Sequence, residues 1–361
     1  MRLLRILAIG VLICLMVVAG MIFFGTAKTP RPMQSITDPF RSVDFSDLPP
    51  LNRYTARDGA ALSYREYRAV ESSGSGEKQV VVLIHGSAAD SQSMHAMAKT
   101  LARDGVTVFV PDLRGHGANQ PRGNVHYVGQ LDDDLADFVH QKRSQHPSTH
   151  WTLIGFSSGG GFALRFDGGP YGNLFDRYLL LSPYLSYNGP TQRPASKPVT
   201  DGNGNAQKAD IQSMAAPYTG RIIALLLLNN VGIHWFDGLP VLAFAVPPEA
   251  KSLTPTYSLR MLVSLAPRTD YLADIRNIHK PTAVMVGQQD EFSLPEQFAP
   301  VFHSQRQDVT VKIVPRLGHL DVITSPVALQ AVREWFKGAD SVASLSSETS
   351  GDVVSAQQGR K

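Results

Sequence analysis

Trp151-Thr152-Leu153-Ile154-Gly155-Phe156-Ser157-Ser158-Gly159-Gly160-Gly161 is the stretch that decides how this chain folds. Its apolar first half reads as a strand, and the glycines that follow mark a tight turn opening a helix. The centre of the turn, Gly155 to Gly159, has the pattern G-x-S-x-G, which at a strand-to-helix junction is a nucleophile elbow. So sharp a turn leaves no room for a side chain two positions either side of the serine, and glycine removes the clash. The Ser157 hydroxyl then stands above the sheet at the N-terminus of the helix, where the helix dipole favours developing negative charge. Ordinary Gly/Ser turns carry the same pentapeptide, so its meaning depends on the surrounding chain.

That chain repeats a strand–helix alternation. Val80-Val81-Val82-Leu83-Ile84 is an uninterrupted apolar run, the signature of a parallel strand covered on both faces. A helix over Ser91–Asp104, ended by Gly105, leads to a strand over Val106–Val110 and an amphipathic helix over Gln130–Gln145. Strands follow over Thr152–Phe156, Tyr178–Leu181, Thr282–Val286 and Val309–Val314, with a closing helix over Val327–Phe336. Leu51–Val70 alternates in twos and predicts a starting hairpin, with a flexible turn at Glu71–Gly76. The fold class is α/β, a mostly parallel, doubly wound sheet.

Four regions divide the chain. Ile6 to Ala27 holds no charged side chain and is flanked by Arg2, Arg5, Lys28 and Arg31. About 20 apolar residues cross a bilayer, whereas signal-peptide cores run about 7–15, so residues 1–27 read as a membrane anchor. A cleaved signal ending at Gly25-Thr26-Ala27, with secretion of the rest, is the alternative. Residues 28–50, rich in Pro, Ser and Asp, read as a linker, 51–337 as the globular domain and 338–361 as a disordered tail. Within the domain, 186–267 is an insertion with apolar stretches at Ile222–Leu228 and Leu239–Pro247, placed after the sixth strand. There it would lie over the strand carboxyl ends as a lid; an elaborated surface domain and a second membrane-touching patch are the alternatives.

Bulk properties narrow the chemistry. A net charge of +3 argues against nucleic acid as a partner. The only cysteine, Cys14, lies in the apolar N-terminal run, so the globular part has no thiol or disulfide chemistry. The histidines are scattered and no Cys/His cluster marks a metal site; no metal and no cofactor is called for. A hydroxyl needs a base within hydrogen-bond reach, and the base needs a group to fix its tautomer. Asp290 in Gly287-Gln288-Gln289-Asp290 and His319 in Leu317-Gly318-His319 each follow a parallel strand, where catalytic groups gather in open α/β sheets. Glu291 is an alternative acid, and Asp321 reads as a solvent or loop contact. His85 and His116 read as loop-holding residues, His279 and His303 as surface ones. Oxyanion donors are expected from the backbone N–H groups of Ser158 and of Ser87 in His85-Gly86-Ser87-Ala88. In Asp112-Leu113-Arg114-Gly115-His116-Gly117, the Asp and Arg would tie the loop rather than react.

Taken together, H-G-S, D-L-R-G-H-G, G-F-S-S-G, Asp290 and His319 are similar to the α/β-hydrolase family, in particular its monoacylglycerol lipase and lysophospholipase-like group, also labelled serine aminopeptidase-like. The resemblance covers about residues 51–337. It implies the α/β-hydrolase fold with a cap after the sixth strand, and Ser157, Asp290 and His319 as a triad cleaving carboxylic esters of small-molecule or lipid type. Phe156 and Ser158 depart from the His and Met typical of the lipases. Residues 123–135 resemble bacterial membrane-anchored members; both flanks of the anchor carry Lys/Arg and leave its orientation open, but an N-terminal anchor before a long domain most simply translocates that domain, to the periplasmic side of a bacterial inner membrane. Two other readings stand beside this one. A proline iminopeptidase-like aminopeptidase would need acidic residues in the insertion to hold an ammonium group, with Asp201, Asp210, Asp237 and Glu249 as candidates. A non-catalytic binding protein on the same fold is the other. A dehalogenase is excluded, since it needs a carboxylate at 157.

Overall fold

β3, the Val80–Ile84 run, sits in the middle of the sheet, and every one of those five residues is at most 1% exposed. The computed structural model describes residues 1–70, 79–147, 149–193, 199–200, 206–207, 214–247, 249–336 and 338. In chain order the first six strands are β1 (Leu51–Thr55), β2 (Ala61–Tyr67), β3 (Gln79–Ile84), β4 (Thr107–Pro111), β5 (His150–Phe156) and β6 (Arg177–Leu181). The insertion adds β7 (Val199–Thr200), β8 (Ala206–Gln207), β9 (Ala215–Pro217), β10 (Pro240–Phe244) and β11 (Thr256–Ser258), and β12 (Thr282–Gly287) and β13 (Thr310–Val314) close the series. The main sheet runs β1-β2-β4-β3-β5-β6-β12-β13. β1, β2 and β4 pair antiparallel, and all other neighbours pair parallel.

Each face of the sheet buries its own core, which is why the strands are apolar at successive rather than alternate positions. Val80, Val82 and Ile84 join Phe109, Phe138, Trp151 and Phe162 on one face. Val81 and Leu83 join Met97, Leu101, Val332 and Phe336 on the other, under the helices His95–Arg103 and 326–336. Chain order reverses at β3, whose neighbours β4 and β5 lie on opposite sides. A crevice opens at such a switch point, and the loops after β3 and β5 border it.

The N-terminal apolar run is a single helix, α1 (Arg2–Phe24), long and apolar enough to cross a membrane. The 28–50 segment is docked rather than free. Met33 is buried, Ile36 and Phe40 pack on the second core, and the Asp44 carbonyl and Asp47 carboxylate meet the His95 ring. Its apolar residues were masked in the sequence by the Pro, Ser and Asp around them. In the insertion, β9, β10 and β11 form a small antiparallel sheet beside α2 (Thr219–Asn229) and α3 (Leu259–Leu265). The Glu71–Gly76 turn lies outside the described residues, as does all of 338–361 except Gly338.

Candidate active site

Ser157 stands between β5 and the helix Ser158–Asp167, as the helix N-cap, with φ +54° and ψ −119°, a conformation side chains rarely adopt. A Cβ on Gly155 would stand 2.2 Å from the Gly159 carbonyl oxygen, and one on Gly159 2.4 Å from that of His85. The elbow is therefore closed to any other residue at both positions. Its backbone is held on several sides. Ser157 N–H donates to Leu181 O at 2.8 Å, and Ser157 O accepts from Gly160, Gly161 and Tyr184 N–H groups at 2.9–3.1 Å. Such over-determination is what lets a strained serine persist.

The three sequence candidates meet at this turn. Ser157 Oγ lies 3.0 Å from His319 Nε2, and His319 Nδ1 lies 2.7 Å from Asp290 Oδ2. Asp290 is fully buried, and its other oxygen accepts from Phe292 and Ser293 N–H groups at 2.9 Å each. Burial would raise the Asp290 pKa, but the His319 charge and these hydrogen bonds prevail and hold it at about 2. Burial likewise would lower the His319 pKa; the Asp290 charge and hydrogen bond, with the Glu291 charge, overcome it and leave the pKa above 6.5. The imidazole packs against Phe156 and Phe292, with ring centroids 4.9 and 5.1 Å away.

Glu291 is not the partner of the ring: its carboxylate accepts from the His319 backbone N–H at 2.9 Å. Asp321 is a loop contact, accepting from Gly318 N–H at 2.8 Å. The N–H groups of Ser87 and Ser158, the two expected oxyanion donors, meet no acceptor among the described residues. Arg114 forms a bidentate pair with Asp134 at 2.7 and 2.8 Å, and Asp112 accepts from Ser91 N–H at 2.7 Å, so both tie loops. His279 and His303 are exposed. No group of three or more His, Cys, Asp or Glu is gathered for a metal among the described residues.

His85 and His116 are wholly buried, with rings 4.9 Å apart, and burial lowers both pKa values. Neutral rings complete a directed chain. His116 Nδ1–H donates to Arg114 O, Tyr257 Oη–H donates to His116 Nε2 at 2.5 Å, and Ala88 N–H donates to Tyr257 Oη at 2.7 Å. Ala88 O accepts from Thr254 N–H at 2.8 Å. Both polar backbone groups of the residue after Ser87 are thus held by the insertion. Sequence reasoning missed Tyr257 and Thr254, which belong to no motif and lie more than 160 residues away in the chain. It also missed Arg193, which donates to the Asp290 and Ser293 carbonyls at 3.0 Å.

A family model described as serine aminopeptidase, S33, matches residues 75–322. The monoacylglycerol lipase of Mycolicibacterium smegmatis is 29% identical over 108 residues, which are 30% of this chain and 38% of that relative. A soluble variant of monoglyceride lipase from Saccharomyces cerevisiae, solved with a substrate analog, superposes with a TM-score of 0.59 at 19% identity, covering 81% of this chain and 97% of that one. A thermophilic esterase from Thermogutta terrifontis gives 0.52 at 22%, covering 80% and 98%. These likenesses establish the α/β-hydrolase fold.

Proposed function

Because the chain belongs to the serine aminopeptidase S33 family, we propose that it is a serine hydrolase of carboxylic esters, of the monoacylglycerol or lysophospholipid kind, with Ser157 as nucleophile. The Ser157–His319–Asp290 relay at 3.0 and 2.7 Å carries this reading. Ser157 Oγ attacks the ester carbonyl as His319 Nε2 takes its proton. Asp290 fixes the tautomer and steadies the imidazolium. The N–H groups of Ser87 and Ser158 receive the oxyanion, and His319 returns its proton to the leaving alkoxide. Water then releases the acyl group by the same steps in reverse. The insertion acts as the cap, and α1 as the membrane anchor.

Lipase relatives and the apolar cap support an acyl substrate. The aminopeptidase reading loses ground at its acidic candidates. Asp237 is buried against His234 and Asn229, Glu249 is exposed, and Asp201 and Asp210 lie outside the described residues. A p-nitrophenyl ester series from acetate to palmitate should show Ser157-dependent kcat/KM rising with chain length. Turnover confined to the shortest esters would remove the lipid assignment, and cleavage of aminoacyl arylamides alone would replace it.

Tyr257 serves as a positioning residue for the oxyanion loop. Tyr257→Phe is expected to lower kcat while leaving KM nearly unchanged. It should also cost about 1–3 kcal/mol of stability, because it orphans the buried Ala88 N–H. Steady-state kinetics beside a urea melt checks both. Lost stability with unchanged kcat would confine Tyr257 to a packing role.

A further inference from the structure

α1 does not stand apart from the globular domain: its last two turns are packed on the cap. Ile22 is 3% exposed, in a cluster with Ala224 and Leu225 of α2, Val241 and Leu259. Val18 and Met21 border the same cluster. The Arg221 side chain donates to Ile22 O at 2.6 Å and to Pro240 O at 2.7 Å, binding the end of α1 to the cap sheet. Gly25 lies so close that a Cβ there would stand 2.8 Å from Arg221 N.

This contact fixes the depth of α2. A membrane core of about 30 Å takes about 20 helical residues at about 1.5 Å each. The apolar part of α1 runs from Ile6 to Phe24, so a span needs its final turns inside the hydrocarbon boundary. Those are the turns that α2 touches. α2 is itself fit for that depth. Its only ionisable side chain, Arg221, is buried and bonded, while Ile223, Leu226 and Leu227 are exposed on its other side. Val231 and Trp235 follow, 71% and 85% exposed. Exposed apolar residues at i, i+3 and i+4, completed by a tryptophan, suit the boundary of hydrocarbon and headgroups.

We infer that the face of α2 formed by Ile223, Leu226 and Leu227, continued by Val231 and Trp235, is a second membrane-contact surface. Its partner is the lipid bilayer, and α1 and the cap enter the leaflet as one unit. The inference rests on the reading of α1 as an anchor. It makes the cap the membrane-facing side of the enzyme, so an ester held in the leaflet lies next to the segment whose Tyr257 and Thr254 hold the loop after Ser87.

The test uses the full chain, one copy per phosphatidylcholine nanodisc, with an environment-sensitive fluorophore on a single cysteine. The sites are native Cys14 in α1, Leu227→Cys in a Cys14→Ser background, and Arg103→Cys in the same background as the aqueous reference. Lipids with nitroxides on their acyl chains should quench the labels at Cys14 and Leu227 and spare Arg103. Quenching at Cys14 alone, with the Leu227 label as open to aqueous iodide as the Arg103 label, overturns the inference and leaves the anchor standing. No quenching at Cys14 overturns both. Unlabelled protein in acyl-brominated lipid gives an independent reading. Its tryptophan emission should lose a component that Trp235→Phe also lacks, and equal quenching in the two proteins counts against the inference.

Discussion

Ser157→Ala is expected to lower kcat on a p-nitrophenyl ester about 10⁶-fold, the scale seen when a triad nucleophile is removed. Folding should survive the change. Alanine keeps the Cβ, and the hydrogen bonds that hold the elbow at φ +54° all use the backbone of residue 157. The melting temperature should therefore stay close to that of the parent while turnover vanishes. A variant retaining more than about a hundredth of the parent rate would place the nucleophile elsewhere, since a site without its triad keeps only about 10³–10⁴-fold acceleration over water.

Asp290→Asn should lower kcat about 10⁴-fold by favouring the wrong imidazole tautomer. It should also move the pH profile in a direction the site dictates. His319 works as a base only when neutral, so kcat/KM rises with pH through the pKa of the free enzyme. In the parent, the Asp290 charge places that inflection above 6.5, against the effect of burial. Removing the charge leaves burial dominant, and the inflection should fall. Near-normal turnover with an unmoved inflection would reassign the acid. Glu291 would then have to leave the His319 backbone N–H that it now accepts from.

The parts of the molecule legible in the sequence are those whose cause is local. β3, β5 and β6 are buried on both faces, so their apolar runs are continuous and unmistakable. Asp290 and His319 were singled out because each follows an apolar run; the first run, β12, is buried, while the second, β13, is the largely exposed edge strand. The strands β9 and β10 were not, because they are short and contain Pro217 and Pro240, which read as loop. The short helices Tyr271–Arg276 and Phe298–His303 escaped as well, the second carrying Pro300 within it. Contacts across long chain separations leave no trace in a local pattern. The Tyr257 hydroxyl on Ala88 N–H and the Arg221 side chain on Ile22 O are of that kind.

Reaction of the full chain with a fluorophosphonate, followed by mass spectrometry of the peptide containing 155–161, tests the central claim most directly. One adduct per chain, located on Ser157 and absent from the Ser157→Ala variant, is the predicted result. An unmodified Ser157, or an adduct carried by Ser87 or Ser158 instead, would contradict it.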